Sequence, residues 1–362
     1  MSKLLYITTN LQGSGGVSRL LSVKLNYLIE AYGYTIHVIT TNNKFDTFFY
    51  EFNSSIIFHK IDIKGFGFAH LFKYKKLLQN VVGNVDPDII INCDNGFKGA
   101  LLPYLVESDA SLIYERHGSR QIKTTTFVEY IKKRASNFII DLTIKKYKIF
   151  AVSNDSDKKD WKGENVELIY NPIWFKPPLE EPKLKNKIAL AVGRHSTEKQ
   201  FDVLLKIWQK VVVDYPDWTL KIYGESDKEK SLKRLIEKLD ISSQVQLYPP
   251  TKNIIKEYSK ASMLLNTSSS EAFGLVIIEA MAYGLPAIAF DSASGPKMLI
   301  DNGTNGFLVK SFDIDAYANK IKLLIKDKTL INSLGSNAKK SVNKFDIDVI
   351  MKQWHQLFQS LI

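Results

Sequence analysis

Glu271 and Glu279, eight positions apart in the string EAFGLVIIEAMAYGLPAIAFD, are the residues of this 362-residue chain best spaced to hold a polar ligand. The spacing predicts a helix from about Leu275 to Tyr283, which sets Leu275, Val276, Ala282 and Tyr283 one turn from Glu279 and leaves its carboxylate no polar face. A buried, unpaired carboxylate is costly, so Glu279 needs a hydrogen-bond partner, and a ribose diol is one such partner. The alternative is a capping Glu271 with a solvated Glu279. Gly274 lets a ligand approach the backbone, Gly284 and Pro286 end the helix, and AIAFD reads as a buried strand. A phosphate would rest on the first-turn amides of Gly274, Leu275 and Val276, just after Phe273, while Glu271 reaches past it. That layout suits a phosphorylated sugar.

A second group of residues carries positive charge. VGRHSTEKQFD puts Gly193 and Arg194 at a strand end and Lys199 at a helix start, which directs both cations toward the crevice outside the strand ends. Surface charges with no ligand are the alternative. The loop GSGGVSRL brings Gly13, Gly15 and Gly16 ahead of a helix, so its backbone amides are also open to an anion. A dinucleotide fingerprint would place glycine where Ser18 stands and an acid where Thr40 and Thr41 stand, which argues against NAD. His117, in IYERHGSR, follows a strand and is either a site residue or a structural histidine.

These residues need a scaffold, and strand and helix patterns alternate along the whole chain as in parallel α/β sheets. LLYITT, TIHVITT, DIIIN, SLIYE and IFAVS are strands of one half. NPIWFKPPLEEPKLKNK, with four of the eleven prolines, reads as a connector. KIALAVG, WTLKIYG, VQLYP, SMLLNTS, AIAFD and NGFLV continue in a second half, separated by helices. A chain of this length suits two domains, each with its own core.

The paired-acid string, with Phe-Gly-Leu-Val between the acids, resembles the retaining glycosyltransferases of family 4. That resemblance implies the GT-B fold: two Rossmann-like domains with parallel sheets facing a central cleft. The domains would be an acceptor-binding domain at 1–170, a linker at 171–186, a nucleotide-sugar domain at 187–344 and a final helix at 345–362 crossing back to the first domain. It further implies that Glu271 contacts hydroxyls of the donor sugar, Glu279 the nucleotide ribose, and Arg194 and Lys199 the diphosphate. Gly193, Phe273, Gly274, Leu275 and Val276 would line the donor. Gly15 and Gly16, with Arg19 less directly matched, would border donor phosphate and acceptor, and His117 would lie beside the reacting sugar. The resemblance implies that no metal is needed, since Arg194, Lys199 and the helix amides would do its electrostatic work, and no cofactor, the nucleotide diphosphate sugar being the donor substrate. In the implied retaining mechanism the acceptor attacks on the face the nucleotide leaves, and the departing phosphate helps take its proton. Two positions depart from the pattern: YPPT at 248–251 where relatives often carry glycine, and Lys297 with Met298 where many carry an acid.

Composition sets outer bounds. Hydrophobic residues at 45% and charged residues at 24% describe an ordinary globular protein. The lone cysteine, Cys93, excludes an internal disulfide and is expected to be an inert core residue. MSKLLYITTN enters a strand directly and no apolar run reaches membrane-spanning length, so a cytoplasmic protein is expected. Net charge is +11, concentrated between Arg116 and Lys148, where Lys123, Lys132, Lys133 and Arg134 join an apolar pattern of Phe127, Val128, Ile131, Ala135, Phe138, Ile139 and Leu142. Such a helix either lies on an anionic membrane or faces the core with a solvated basic back. The expected partners are a nucleotide-sugar donor and a glycan or lipid-linked acceptor, as in relatives that build bacterial surface polysaccharides. Two rival readings are a GT-B nucleotide-sugar 2-epimerase and a non-enzymatic nucleic-acid or membrane binder. No RNA-recognition motif favours nucleic acid.

Overall fold

The computed structural model describes residues 2–41, 47–62, 68–118, 120, 127–161, 163–180, 184–225 and 229–362. It divides into two compact units. Among the described residues, the first comprises those up to Arg120, those from 127 to Pro172 and Asp348–Ile362, and the second Ile173–Ile347.

The first unit is built on seven parallel strands: β1 (Lys3–Thr8), β2 (Thr35–Thr40), β3 (Ile57–Lys60), β4 (Ile89–Asn92), β5 (Ser111–Arg116), β6 (Ile149–Val152) and β7 (Val166–Leu168). They lie in the order β3-β2-β1-β4-β5-β6-β7. The central strands are near-continuous apolar runs because helices cover both faces of a parallel sheet. Leu5, Ile7, Ile39, Leu78, Ile90, Tyr114, Phe150 and Trp161 belong to the resulting core. Strands β3 and β7 were not among the sequence expectations, nor were the helices Phe68–Val85 and Phe97–Leu105. Both missed strands are short, and β3 at the sheet edge has a half-exposed pattern with Ile57 47% exposed, which weakens the apolar signal.

From Asp348 onward the last helix, Ile347–Gln359, belongs to this unit. Tyr27 donates to Asp348, Tyr34 bonds to His355, and the Lys24 ammonium lies 3.1 Å from the centroid of the Trp354 ring.

The basic helix spans Phe127–Thr143. Ile140 is buried and Ile139 packs against the core, yet Ile131, Phe138 and Leu142 are exposed, so its apolar pattern is only partly spent on the core. Arg134 is exposed. Lys123 and the side chains of Lys132 and Lys133 lie outside the described residues. Among the described residues, no helix is long and apolar enough to cross a membrane.

The second unit holds six parallel strands: β8 (Ile188–Val192), β9 (Thr219–Tyr223), β10 (Val245–Tyr248), β11 (Met263–Asn266), β12 (Ala287–Phe290) and β13 (Gly306–Val309). Their order is β10-β9-β8-β11-β12-β13. The core includes Leu204, Trp208, Ile222, Met263, Ile288, Tyr317 and Leu324. Both sheets place non-sequential strands side by side at their centres, β1 next to β4 and β8 next to β11. In such sheets the crevice for a ligand opens outside the carboxyl ends of the strands where the order reverses.

Candidate active site

In the second unit, the residues after β8 and β11 form one cluster. Lys199 closes a short turn, Thr197–Lys199, just before the helix Phe201–Val212. Its stem runs across Gly193: a Cβ at that glycine would sit 3.0 to 3.3 Å from Lys199 Cε, Cδ and Cγ. A side chain at 193 would therefore displace the lysine. Lys199 Nζ reaches Glu271 Oε2 at 2.5 Å. Arg194 is exposed, with its guanidinium 3.8 Å from Glu198.

The helix after β11 spans Leu275–Ala282 and is entered through Gly274 at φ 98°, a left-handed conformation that favours glycine. Phe273 is buried before it, while Leu275 and Val276 are half-buried in the first turn. Helix geometry leaves first-turn amides without intrahelical acceptors and gives that end a partial positive charge. The helix and its entry through Gly274 are as expected from the sequence.

Glu279 is 5% exposed and differs from the expectation in one respect. Its Oε1 accepts from Trp174 Nε1 at 2.8 Å and its Oε2 from the Tyr258 hydroxyl at 2.8 Å. The chain itself therefore supplies partners that the helical neighbourhood lacks, and burial of Glu279 does not by itself require a ligand.

In the first unit, Gly15 caps the helix Gly16–Tyr32, and a Cβ built on Gly15 meets nothing within 4 Å. The Arg19 guanidinium stacks 4.2 Å from the centroid of Tyr50, whose hydroxyl donates to the Ser14 carbonyl at 2.8 Å. His117 follows β5, with its backbone N–H donating to Asn95 Oδ1 at 3.0 Å. Its Nε2 is buried, has no hydrogen-bond partner among the described residues and lies 4.0 Å from Glu115 Oε1. Glu115 is in turn bonded to Lys24 at 2.7 Å.

Burial pushes the His117 imidazole below its ordinary value, despite the opposing pull of Glu115. For Glu115, burial would raise the carboxyl, but Lys24 and His117 outweigh it and hold it below the ordinary carboxylate range. Burial pushes the Cys93 thiol well up, which agrees with an inert core residue. Cys93, Glu115 and His117 are close enough together to be considered as metal ligands. In this structure the Glu115 carboxylate is bonded to the Lys24 ammonium at 2.7 Å, so the group is built around an ion pair.

With this geometry in view, residues 173–341 match the model of the glycosyl transferases group 1. The chain thus carries a glycosyl transferases group 1 domain over those residues, just under half of its length. This group 1 glycosyltransferase is 28% identical over 365 residues to an uncharacterized glycosyltransferase of Haemophilus influenzae, covering 98% of this chain and 99% of that one. It is 25% identical to the amylovoran biosynthesis glycosyltransferase AmsD of Erwinia amylovora, with 99% of each chain covered. Among solved structures it is similar to an S. aureus TarM variant in complex with Fondaparinux, alpha-GlcNAc-glycerol and UDP. That likeness has a TM-score of 0.80 at 16% identity, covering 99% of this chain and 100% of the other. The two parallel sheets with their helices are the GT-B fold.

The group 1 glycosyltransferase thus carries Gly193, Arg194, Lys199, Glu271, Phe273, Gly274, Leu275, Val276 and Glu279 in its second unit, and Gly15, Gly16 and His117 in its first. Sequence reasoning missed Trp174, Tyr258, Lys24 and Glu115. None of the four shares a turn with the group it holds.

Proposed function

We propose that this group 1 glycosyltransferase moves a sugar from a nucleotide diphosphate sugar, UDP- or GDP-linked, to a hydroxyl of a glycan or lipid-linked glycan, with retention at the anomeric carbon. The observation that carries the proposal is the convergence of Lys199, Glu271 and the Gly274-opened helix in one cluster of the second unit. Arg194 and Lys199 neutralise the diphosphate as it departs, and the first-turn amides of Leu275 and Val276 share that charge. Glu271 accepts from sugar hydroxyls and Glu279 from the ribose. His117, kept neutral by its burial, orients the donor rather than removing the acceptor proton. The acceptor attacks on the face the nucleotide leaves, and the leaving phosphate takes the proton. The cations and amides supply the countercharge in this scheme, so a bound metal has no required step.

Several observations support the details. A relative is named for amylovoran biosynthesis and a fold neighbour was solved with UDP, which favours a uridine nucleotide and a role in surface polysaccharide assembly. The exposed Ile131, Phe138 and Leu142, on a segment that also exposes Arg134, Lys145 and Lys146, suit the interface of an anionic membrane where a lipid-linked acceptor resides. Titration calorimetry with UDP- and GDP-sugars tests the donor. Salt-sensitive RNA binding without nucleotide binding would refute the whole reading. For the membrane element, Phe138→Ser with Leu142→Ser should lower the fraction bound to phosphatidylglycerol vesicles, and an unchanged fraction removes it.

A further inference from the structure

The Lys199–Glu271 contact joins a cation and an acid assigned to different parts of the donor. The two side chains are 19% and 18% exposed, and they meet at 2.5 Å. The main chains that carry them are fixed independently of this contact. Thr267 Oγ1 donates to the Lys199 carbonyl at 2.9 Å, the Ser269 N–H to the Glu198 carbonyl at 2.8 Å, and the Gly295 N–H to the Glu271 carbonyl at 2.9 Å. Opening the pair therefore needs rotation of side chains and no movement of loops.

A phosphate arriving at this cluster finds unequal donors. Arg194, with its side chain 63% exposed, and the first-turn amides of the Leu275–Ala282 helix are ready for it. Lys199 is already neutralised. Drawing its ammonium onto the phosphate strips a partly buried carboxylate of its counter-ion, which costs free energy unless other donors replace it. Hydroxyls of a sugar attached to the phosphate are such donors, whereas a bare nucleoside diphosphate brings none to that position.

We propose that the Lys199–Glu271 ion pair is a latch that distinguishes a sugar-loaded nucleoside diphosphate from a spent one. Sugar hydroxyls occupy Glu271 and release Lys199 to the diphosphate. Once the sugar has left, the pair recloses and the hold on the product weakens. Glu271 is thereby a determinant of loaded-over-empty specificity as well as a sugar contact, through a coupling between two parts of one ligand. The inference rests on the nucleotide-sugar reading of this cluster.

Titration calorimetry with UDP, GDP, UDP-glucose and GDP-mannose tests it on the wild type, Glu271→Gln, Glu271→Ala and the double variant Lys199→Met with Glu271→Gln. Thermal melts establish that each is folded. Freeing Lys199 should tighten whichever bare nucleotide the wild type binds by about fivefold in the Glu271 single variants, the worth of one partly exposed ion pair. The advantage of the nucleotide sugar should shrink, and the double variant should lose the gain. If the wild type binds nucleotide and neither Glu271 variant binds it more tightly, the latch is overturned while the nucleotide-sugar reading stands. If the wild type binds none of the four probes, both are overturned.

Discussion

Among the described residues each unit buries one glutamate, and the two are held in opposite ways. Glu115 in the first unit meets an ammonium, Lys24, at 2.7 Å. Glu279 in the second takes hydrogen bonds from an indole N–H and a phenol, those of Trp174 and Tyr258. An ion pair spends the carboxylate's charge inside the protein, whereas neutral donors orient the oxygens and leave the charge available to a ligand. On this comparison Glu115 is held as a structural acid, and the proposed nucleotide contact falls to Glu279.

The largest effect should come from breaking the ion pair. Lys24 has a side chain that is 1% exposed, so Lys24→Met leaves Glu115 buried without its counter-ion. Removing one partner of a buried pair typically costs about 3 to 5 kcal/mol, because the other charge stays behind. Urea unfolding should register a loss of that size, and adding Glu115→Gln should recover most of it. A single variant as stable as the wild type would mean that Glu115 has other compensation and would erase the contrast with Glu279.

Glu279 should respond in a different quantity. In Glu279→Gln the amide oxygen still accepts from Trp174 while its N–H donates to the Tyr258 oxygen, so folding should change by about 1 kcal/mol or less. Glu279→Ala removes the acceptor that Trp174 and Tyr258 share, at about 1 to 3 kcal/mol for each donor left buried and unsatisfied. Both variants should weaken nucleotide binding by about tenfold to a hundredfold, the range for a hydrogen bond to a charged group. Unchanged affinity, with stability lost in both, would place Glu279 alongside Glu115 as a structural acid.

The contrast also marks what a sequence can disclose. Strands β1, β4, β8, β11 and β12 were legible because full burial forces uninterrupted apolar runs, and the helix Leu275–Ala282 because Gly274 and Gly284 bracket it. The paired acids were legible through their spacing. Their partners were not, since Trp174 lies 105 residues from Glu279 and Lys24 lies 91 from Glu115, distances that only the fold closes. In the helix Phe127–Thr143 the period was readable, but the division between Ile140 against the core and Phe138 in the open depends on neighbours that periodicity does not name.

The smallest expected effect concerns acid stability of the first unit. The His117 imidazole is depressed below 6.5 by burial, so the folded chain resists a proton that the unfolded chain accepts. Its contribution is intact above 6.5 and is lost as pH falls from there toward the folded value. Glu115, held below its ordinary 4.5, contributes above that value and loses its share only as pH falls through the depressed one. Histidine therefore governs the upper part of the acid limb and the carboxylate the lower. Burial also depresses His37 and His59, so the wild-type slope is shared among several rings. Comparison with His117→Asn isolates one of them: urea unfolding between pH 6.5 and 4.5 should show a shallower decline in the variant. Identical slopes would mean that the ring takes up protons in the fold as readily as outside it, and the assignment of a neutral, donor-orienting His117 would fail with it.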